Sequence, residues 1–371
     1  MGNYLLNFPN NKLIKNQTHS ILLSSESLKF HQSLESYNKS QLHELSGLSK
    51  VLNISNLFIK DESTRFGLNA FKALGASYAV SQILKKKPNV SIFCTATDGN
   101  HGRALAWSAE LYNKKCMVFV PKDTSDLRIK SISNHGAIVE KLNLNYEDTC
   151  KYAFEISLKM KWELIQDASW DNYDIIPAYI MSGYLTHLSE MEDTINMLIK
   201  PNFDIVFLQC GVGSWAASCI WYYLNRYGKN RPKIILVEPV ESSGVFESFN
   251  QGKRVSPKGS LKTIMAGLNC GIPSKSAWNI IKNGCDGFMK ITDNEVMSAM
   301  RFFYKPLEKD SKIISGESGA AGLAGLIKCL NDTKAEGLNK HIGLDKNSRV
   351  LVFNTEGDTD ANSFQEIIKI N

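Results

Sequence analysis

One lysine sits inside an apolar run, Arg65-Phe66-Gly67-Leu68-Asn69-Ala70-Phe71-Lys72-Ala73-Leu74-Gly75, where the pattern turns helical. Ala70, Phe71, Ala73, Leu74 and Ala76 are helix-compatible, and Asn69 is the expected N-cap. A lysine in the first turn faces the positive end of the helix dipole, and apolar neighbours desolvate it. Both effects disfavour the ammonium and predict a lowered pKa. A neutral amine is a nucleophile towards carbonyl carbon; an ammonium is not. Alone, Lys72 reads first as an ordinary helix-surface lysine, and its meaning depends on what else the chain carries.

Three further stretches combine glycines with polar side chains. Gly211-Val212-Gly213-Ser214 suits a phosphate: the glycines admit close approach, successive N–H groups meet the anion, and the following helix adds its dipole. A tight strand-to-helix turn would need the same glycines. Ala216 stands where a dinucleotide fingerprint needs its third glycine, and no acidic ribose partner is evident before Glu238, which argues against a nicotinamide-dependent oxidoreductase. In Asp98-Gly99-Asn100-His101-Gly102, Asn100 suits a phenolic oxygen, and His101 reads as structural. Asp98 would attract an ammonium and serve as a base, or else cap the next helix. Thr355 would bond a heterocyclic nitrogen or satisfy its own turn. Glu317, in Ser315-Gly316-Glu317-Ser318-Gly319-Ala320-Ala321-Gly322, is expected to orient site groups; that stretch only superficially resembles a nucleophile elbow, because Ala320 replaces the last glycine.

The elements that must hold these residues alternate. Strands are predicted at 57–59, 91–94, 116–120, 137–139, 204–208, 233–237 and 349–353. Helices are predicted near 70–86, 100–113, 126–134, 147–160, 178–198, 214–227, 294–304 and 318–330. Strand–helix alternation implies an α/β protein with two open, mostly parallel twisted sheets flanked by helices, one from the early strands and one from the late. Ligands in such sheets bind beyond the carboxyl ends of strands, where all the motifs fall. The Gly-, Ser-, Lys- and Pro-rich segment 249–276 is expected to be irregular and to border the cleft.

The bulk properties agree with an enzyme of small molecules. The chain has 371 residues, enough for two domains, expected as 1–86 with 188–371 and a smaller 87–187. Its net charge of +6 is spread without a dense basic tract, so no nucleic-acid partner is expected. No apolar run has the length of a membrane span, and no signal peptide is visible, so the expected location is the cytoplasm. The eight cysteines show neither zinc spacing nor a C-x-x-C pair, and no metal is expected. Whether Cys270 and Cys285 pair is open.

Taken in order, Phe71-Lys72-Ala73-Leu74-Gly75, Gly99-Asn100-His101-Gly102 and Gly211-Val212-Gly213-Ser214 resemble the pyridoxal-phosphate enzymes of fold type II, the tryptophan synthase β-like group that includes threonine and serine dehydratases and cysteine synthases. Within that group the chain is most similar to the diaminopropionate ammonia-lyases. Asp61 to Lys72, Thr97 to Arg103, Thr263-Ile264-Met265-Ala266-Gly267-Leu268-Asn269-Cys270-Gly271, Ser315 to Ala321 and Thr355 to Asp360 carry the likeness. It runs from about 57 to 362; the first fifty residues carry little of it.

The resemblance implies that Lys72 carries the cofactor aldehyde. Gly211, Val212, Gly213 and Ser214 would hold its phosphate, Asn100 the ring 3'-oxygen and Thr355 the ring nitrogen. It further implies catalytic roles for Lys72, Asp98 and Asp167, the two carboxylates suiting a substrate with a second amine. The implied reaction is α,β-elimination from 2,3-diaminopropionate, giving pyruvate and two ammonia, in a homodimer. A serine or threonine dehydratase is the alternative within the fold, and a non-catalytic cofactor-binding protein the alternative outside catalysis.

Overall fold

Two sheets carry the strands of the computed structural model, which describes residues 2–97, 99–195 and 202–369. The larger sheet contains β1 (Tyr4–Leu6), β2 (Gln41–Glu44), β3 (Asn56–Asp61), β8 (Ile205–Gln209), β9 (Lys233–Pro239), β10 (Gly287–Ile291) and β11 (Arg349–Asn354). The smaller contains β4 (Ile92–Ala96), β5 (Lys115–Val120), β6 (Ile138–Lys141) and β7 (Glu163–Leu164). The large sheet runs β1-β10-β9-β8-β11-β3-β2, and the small one runs β6-β5-β4-β7. Every pairing in the small sheet is parallel; in the large sheet only the edge strands β1 and β2 are antiparallel.

The interior strands explain their own burial. Ile205, Val206, Phe207, Leu208 and Gln209 of β8 are all buried, as expected of a central parallel strand covered on both faces. Their alternation feeds two separate cores. Val206 and Leu208 join Leu351 and Phe353 under the helices Lys72–Lys86, Ile175–Ile195, Ser214–Tyr227 and Lys275–Gly284. Ile205 and Phe207 join Val350 and Val352 under Asp293–Tyr304, Ala321–Asn331, Glu336–Ile342 and Ala361–Lys369. Each large apolar side chain so buried contributes roughly 1.5–3 kcal/mol.

The early and late strands do not segregate as the sequence order suggests. β3 crosses into the large sheet and pairs in parallel with β11, the last strand, with Phe353 opposite Lys60 and Asn354 opposite Asp61. That pairing brings the segment after β3, which leads to Lys72, beside the segment after β11, which holds Thr355. Four strands escape the sequence pattern for plain reasons. β1 and β7 have three and two residues. β2 is Gln-Leu-His-Glu, and β10 contains Gly287 and Lys290 rather than a β-branched run.

The Lys72–Lys86 helix is pressed against Ile175–Ile195. A Cβ on Gly75 would come within 2.5 Å of Tyr184 and 2.7 Å of Ile180, so only glycine permits this spacing. The close approach fixes where the N-terminal end of the helix, and Lys72 with it, lies.

Candidate active site

Lys72 is the first residue of its helix, and the segment before it is clamped to the end of β11. Phe71 N–H donates to the Thr355 carbonyl at 3.1 Å, Gly357 N–H donates to the Asn69 carbonyl at 2.9 Å, and Ala70 forms an antiparallel bridge with Glu356. Asn69 is not the cap: it adopts φ 52°, and the helix begins behind Phe71 with no side-chain cap.

The Lys72 side chain is 18 % exposed, and its amine is ion-paired with Asp167, which follows the two-residue strand β7. Burial depresses the lysine's pKa, but the Asp167 carboxylate more than offsets it, and the net direction is upward. The expected lowering is therefore reversed. A helix dipole contributes about 0.3–1 kcal/mol, less than a partly desolvated carboxylate in direct contact. Asp167 is held at about 2: burial works to raise it, and Lys72 overcomes that. The pair is thus a charged carboxylate and a charged ammonium in this state.

Asp167 is held by its surroundings. The Gln166 side chain accepts from Ala96 N–H at 3.2 Å and donates to the Ala96 carbonyl at 3.1 Å, stitching the loop to β4. Ser214 Oγ donates to the Asp167 carbonyl at 2.5 Å, tying it to the glycine turn after β8.

That turn presents a cradle. Gly213 has φ +94° and caps the Ser214–Tyr227 helix with no side-chain hydrogen bond. None of the backbone N–H groups of residues 211–214 is bonded to an acceptor among the described residues. Orphan donors at the N-terminus of a 14-residue helix favour an anion. A Cβ on Gly211 would press within 3.0 Å of Cys270 Sγ, so that wall is closed to any larger residue.

Thr355, 4 % exposed, is oriented from behind. Gln209 Nε2 donates to its Oγ1 at 2.9 Å, which leaves the hydroxyl proton for another acceptor. An aromatic ring nitrogen is such an acceptor. Asn100 opens the Asn100–Glu110 helix after β4, and its Nδ2 donates to Glu356 Oε2. Lys72, Asn100, Asp167, residues 211–214 and Thr355 all line one cleft of ≈ 960 Å³, counted with the space open to solvent. Orphan N–H donors, an outward hydroxyl, an amide and a lysine amine fit a phosphorylated pyridine aldehyde in donor and acceptor chemistry. Asp98 lies outside the described residues.

Other residues take places the sequence reading did not give them. Glu317 is not in the lining; it accepts from Ser363 Oγ at 2.5 Å, and burial raises its pKa. The neighbouring Ser318 lines the cleft instead. Arg128, Tyr146, Cys270, Glu356 and Thr359 also line it and were missed. For Glu356 the available signal was a second polar residue at the end of a buried strand. Residues 266–268 and 270, from the predicted irregular segment, do border the cleft. His101, read from the sequence as structural, also lines the cleft; its Nε2 lies 2.7 Å from the Ile165 carbonyl, and burial lowers its pKa. No disulfide joins the eight cysteines, and no His, Cys, Asp or Glu cluster suited to a metal occurs among the described residues. Among them, no helix is long and apolar enough to cross a membrane.

Comparison with known proteins follows the same lines. The model of the family described as "Pyridoxal-phosphate dependent enzyme" matches residues 34–354. A diaminopropionate ammonia-lyase from Salmonella typhimurium is 37 % identical over 367 residues, covering 92 % of this chain and 91 % of its own. The crystal structure of diaminopropionate ammonia lyase from Escherichia coli, in complex with an aminoacrylate-PLP azomethine reaction intermediate, superposes with a TM-score of 0.90 at 34 % identity, covering 98 % of this chain and 96 % of that one. The E. coli enzyme in complex with D-serine gives 0.89 at 32 %, with the same coverage.

Proposed function

The chain belongs to the pyridoxal-phosphate dependent enzymes, in the diaminopropionate ammonia-lyase family, and from that premise we propose that it eliminates ammonia from 2,3-diaminopropionate to give pyruvate and two ammonia. Pyridoxal phosphate, when bound, supplies an aldehyde that condenses with amines and a ring that draws electrons from the bonds at the α-carbon. The remaining work falls to side chains of this chain. The N–H groups of residues 211–214 would hold the phosphate, while the Ser214 hydroxyl, its proton given to the Asp167 carbonyl, keeps that turn tied to Asp167; Asn100 would meet the ring 3'-oxygen and Thr355 the ring nitrogen. A neutral hydroxyl there does not protonate the ring, which moderates the electron sink and suits elimination.

Lys72 is the residue that would hold the cofactor aldehyde through its Nζ, and a substrate α-amine would compete for the same position. Lys72 or Asp98, according to the chirality of the substrate, then takes the α-proton; for Asp98 the assignment rests on the family resemblance. The β-amine departs with a proton as the first ammonia. Water adds to the three-carbon enamine left behind, releasing pyruvate and the second ammonia. Asp167, ionised and facing the cleft, favours a substrate that brings an extra ammonium.

The observation that carries the reading is the half-buried Lys72–Asp167 pair opening on the same cleft as the glycine turn. The reading includes a larger cofactor-binding domain of 1–86 and 188–371, a smaller domain of 87–187, a homodimer and a cytoplasmic setting. That all four small-sheet strands fall between 92 and 164 supports the division. Light scattering during size exclusion checks the dimer. The test of function is pyruvate release by the loaded protein from D- and L-2,3-diaminopropionate, serine and threonine. The diamino acid should lead by at least about tenfold, with two ammonia per pyruvate. Faster turnover of serine or threonine would make the protein a dehydratase.

A further inference from the structure

Nothing above assigns work to Glu356, although it is 5 % exposed and stands where the two sheets meet in the cleft. Its Oε2 accepts from Asn100 Nδ2, and its Oε1 accepts from Ser318 N–H at 3.0 Å. The backbone is fixed independently. Gly316 N–H donates to the Glu356 carbonyl at 3.0 Å, and Ala70 bridges the residue from the Lys72 segment. A Cβ on Gly316 would lie 3.0 Å from Glu356 Cγ and 3.0 Å from Oε1, so the carboxylate is boxed in.

An ionised carboxylate only accepts hydrogen bonds. Asn100 must therefore turn its NH2 towards Glu356, and the orientation of that amide is decided. One Nδ2 proton is spent on the carboxylate; the other remains for a second acceptor. The same bond links Asn100, which follows β4 of the small sheet, to Glu356, which follows β11 of the large one.

We propose that Glu356 is a positioning residue that sets the Asn100 amide as a donor to the cofactor's phenolic oxygen and ties that donor to the strand end carrying Thr355. The proposal rests on the cofactor reading above. A glutamine at 356 has one carbonyl oxygen for two donors, Ser318 N–H and Asn100 Nδ2. Whichever it fails to serve faces its NH2 group, and Asn100 loses its enforced orientation.

The test compares wild type, Glu356→Gln, Asn100→Ala and the double variant, each titrated with pyridoxal 5'-phosphate. The readouts are the dissociation constant and the pH titration of the visible cofactor band. Glu356→Gln should weaken the cofactor by about tenfold or more, as expected for losing a hydrogen bond to a charged group, and move the midpoint of the band. In the Asn100→Ala background the same substitution should change neither quantity, because the path through Asn100 is already cut. A Glu356→Gln protein that matches wild type overturns the proposal. So does an equal effect in both backgrounds, which would mean that Glu356 acts through Ser318 or the fold. Melting temperatures separate a folding defect from either. A wild-type protein that develops no band overturns the cofactor reading itself, a result distinct from these.

Discussion

Two buried sets of charges flank the segment that joins β3 to Lys72, and they are built on opposite terms. On one side, Arg65 is 2 % exposed, and every nitrogen of its guanidinium is bonded. It donates to Glu62 at 2.7 and 2.9 Å and to Glu190 at 2.9 and 2.8 Å, while Lys60 Nζ reaches Glu190 at 2.8 Å. Two cations balance two carboxylates, and Ser40, Tyr37 and the Asn38 carbonyl take up further positions. On the other side, Lys72 meets a single carboxylate among the described residues, and the pair opens on the cleft. Burial opposes ionisation in both places. Where hydrogen bonds saturate the charges, they hold a backbone in place; where they do not, the amine can change partners. Saturation, more than burial, separates scaffold from chemistry here.

The largest expected effect comes from the unsaturated side. Lys72→Ala should lower pyruvate formation by at least about 10³-fold and remove the visible cofactor band; near-normal turnover would end its assigned role. Arg65→Met should do the opposite, striking stability first. It leaves Glu62 and Glu190 buried without their main counter-ion, at a cost of about 3–5 kcal/mol. Denaturant unfolding measures this, and a loss below about 1 kcal/mol would show that the saturation described is not what holds the segment.

Acid sharpens the same contrast. His31 and His187 pack against the Arg65 side and are kept neutral by burial, titrating at about 3 and about 4. In the unfolded chain both titrate at about 6.5. The unfolded state then binds the extra protons, so this stability is complete above that value and is lost as pH falls towards 4. The slope should be about 2–3 kcal/mol per pH unit for the two together. Unfolding midpoints measured from pH 8 to 4.5 give it, and a flat profile would contradict the burial argument. Asp167→Asn should lower kcat by about 10²-fold with a far smaller effect on unfolding, since Asp167 works in the cleft. The smallest effect belongs to an exposed pair. Lys50 and Glu308 meet at 2.7 Å with side chains 67 % and 54 % exposed, and Lys50→Ala should cost under about 0.5 kcal/mol.

The same distinction governs what could be read from the sequence. Lys72, Asn100, the glycine turn and Thr355 were legible because each is a short motif at a strand end, and their order along the chain is specific. Asp167 was legible only through the family likeness: β7 has two residues and leaves no periodic trace. The lysine's raised pKa could not be anticipated, because Asp167 arrives from 95 residues away. Asn69 reads as a cap by residue type, yet it is spent on a left-handed turn that the β11 end locks from the side. Parallel sheets were legible from alternation, whereas the crossing of β3 to β11 was not, since strand partners are chosen by packing and not by sequence order. Glu356 left one faint sign, a charge two residues beyond a buried strand.

The most direct measurement is to reduce the pyridoxal-phosphate-loaded protein with borohydride, digest it and locate the pyridoxyl group by mass spectrometry. A single modified lysine at position 72 is the predicted result. A label on any other lysine, or none after full loading, would contradict the account at its centre.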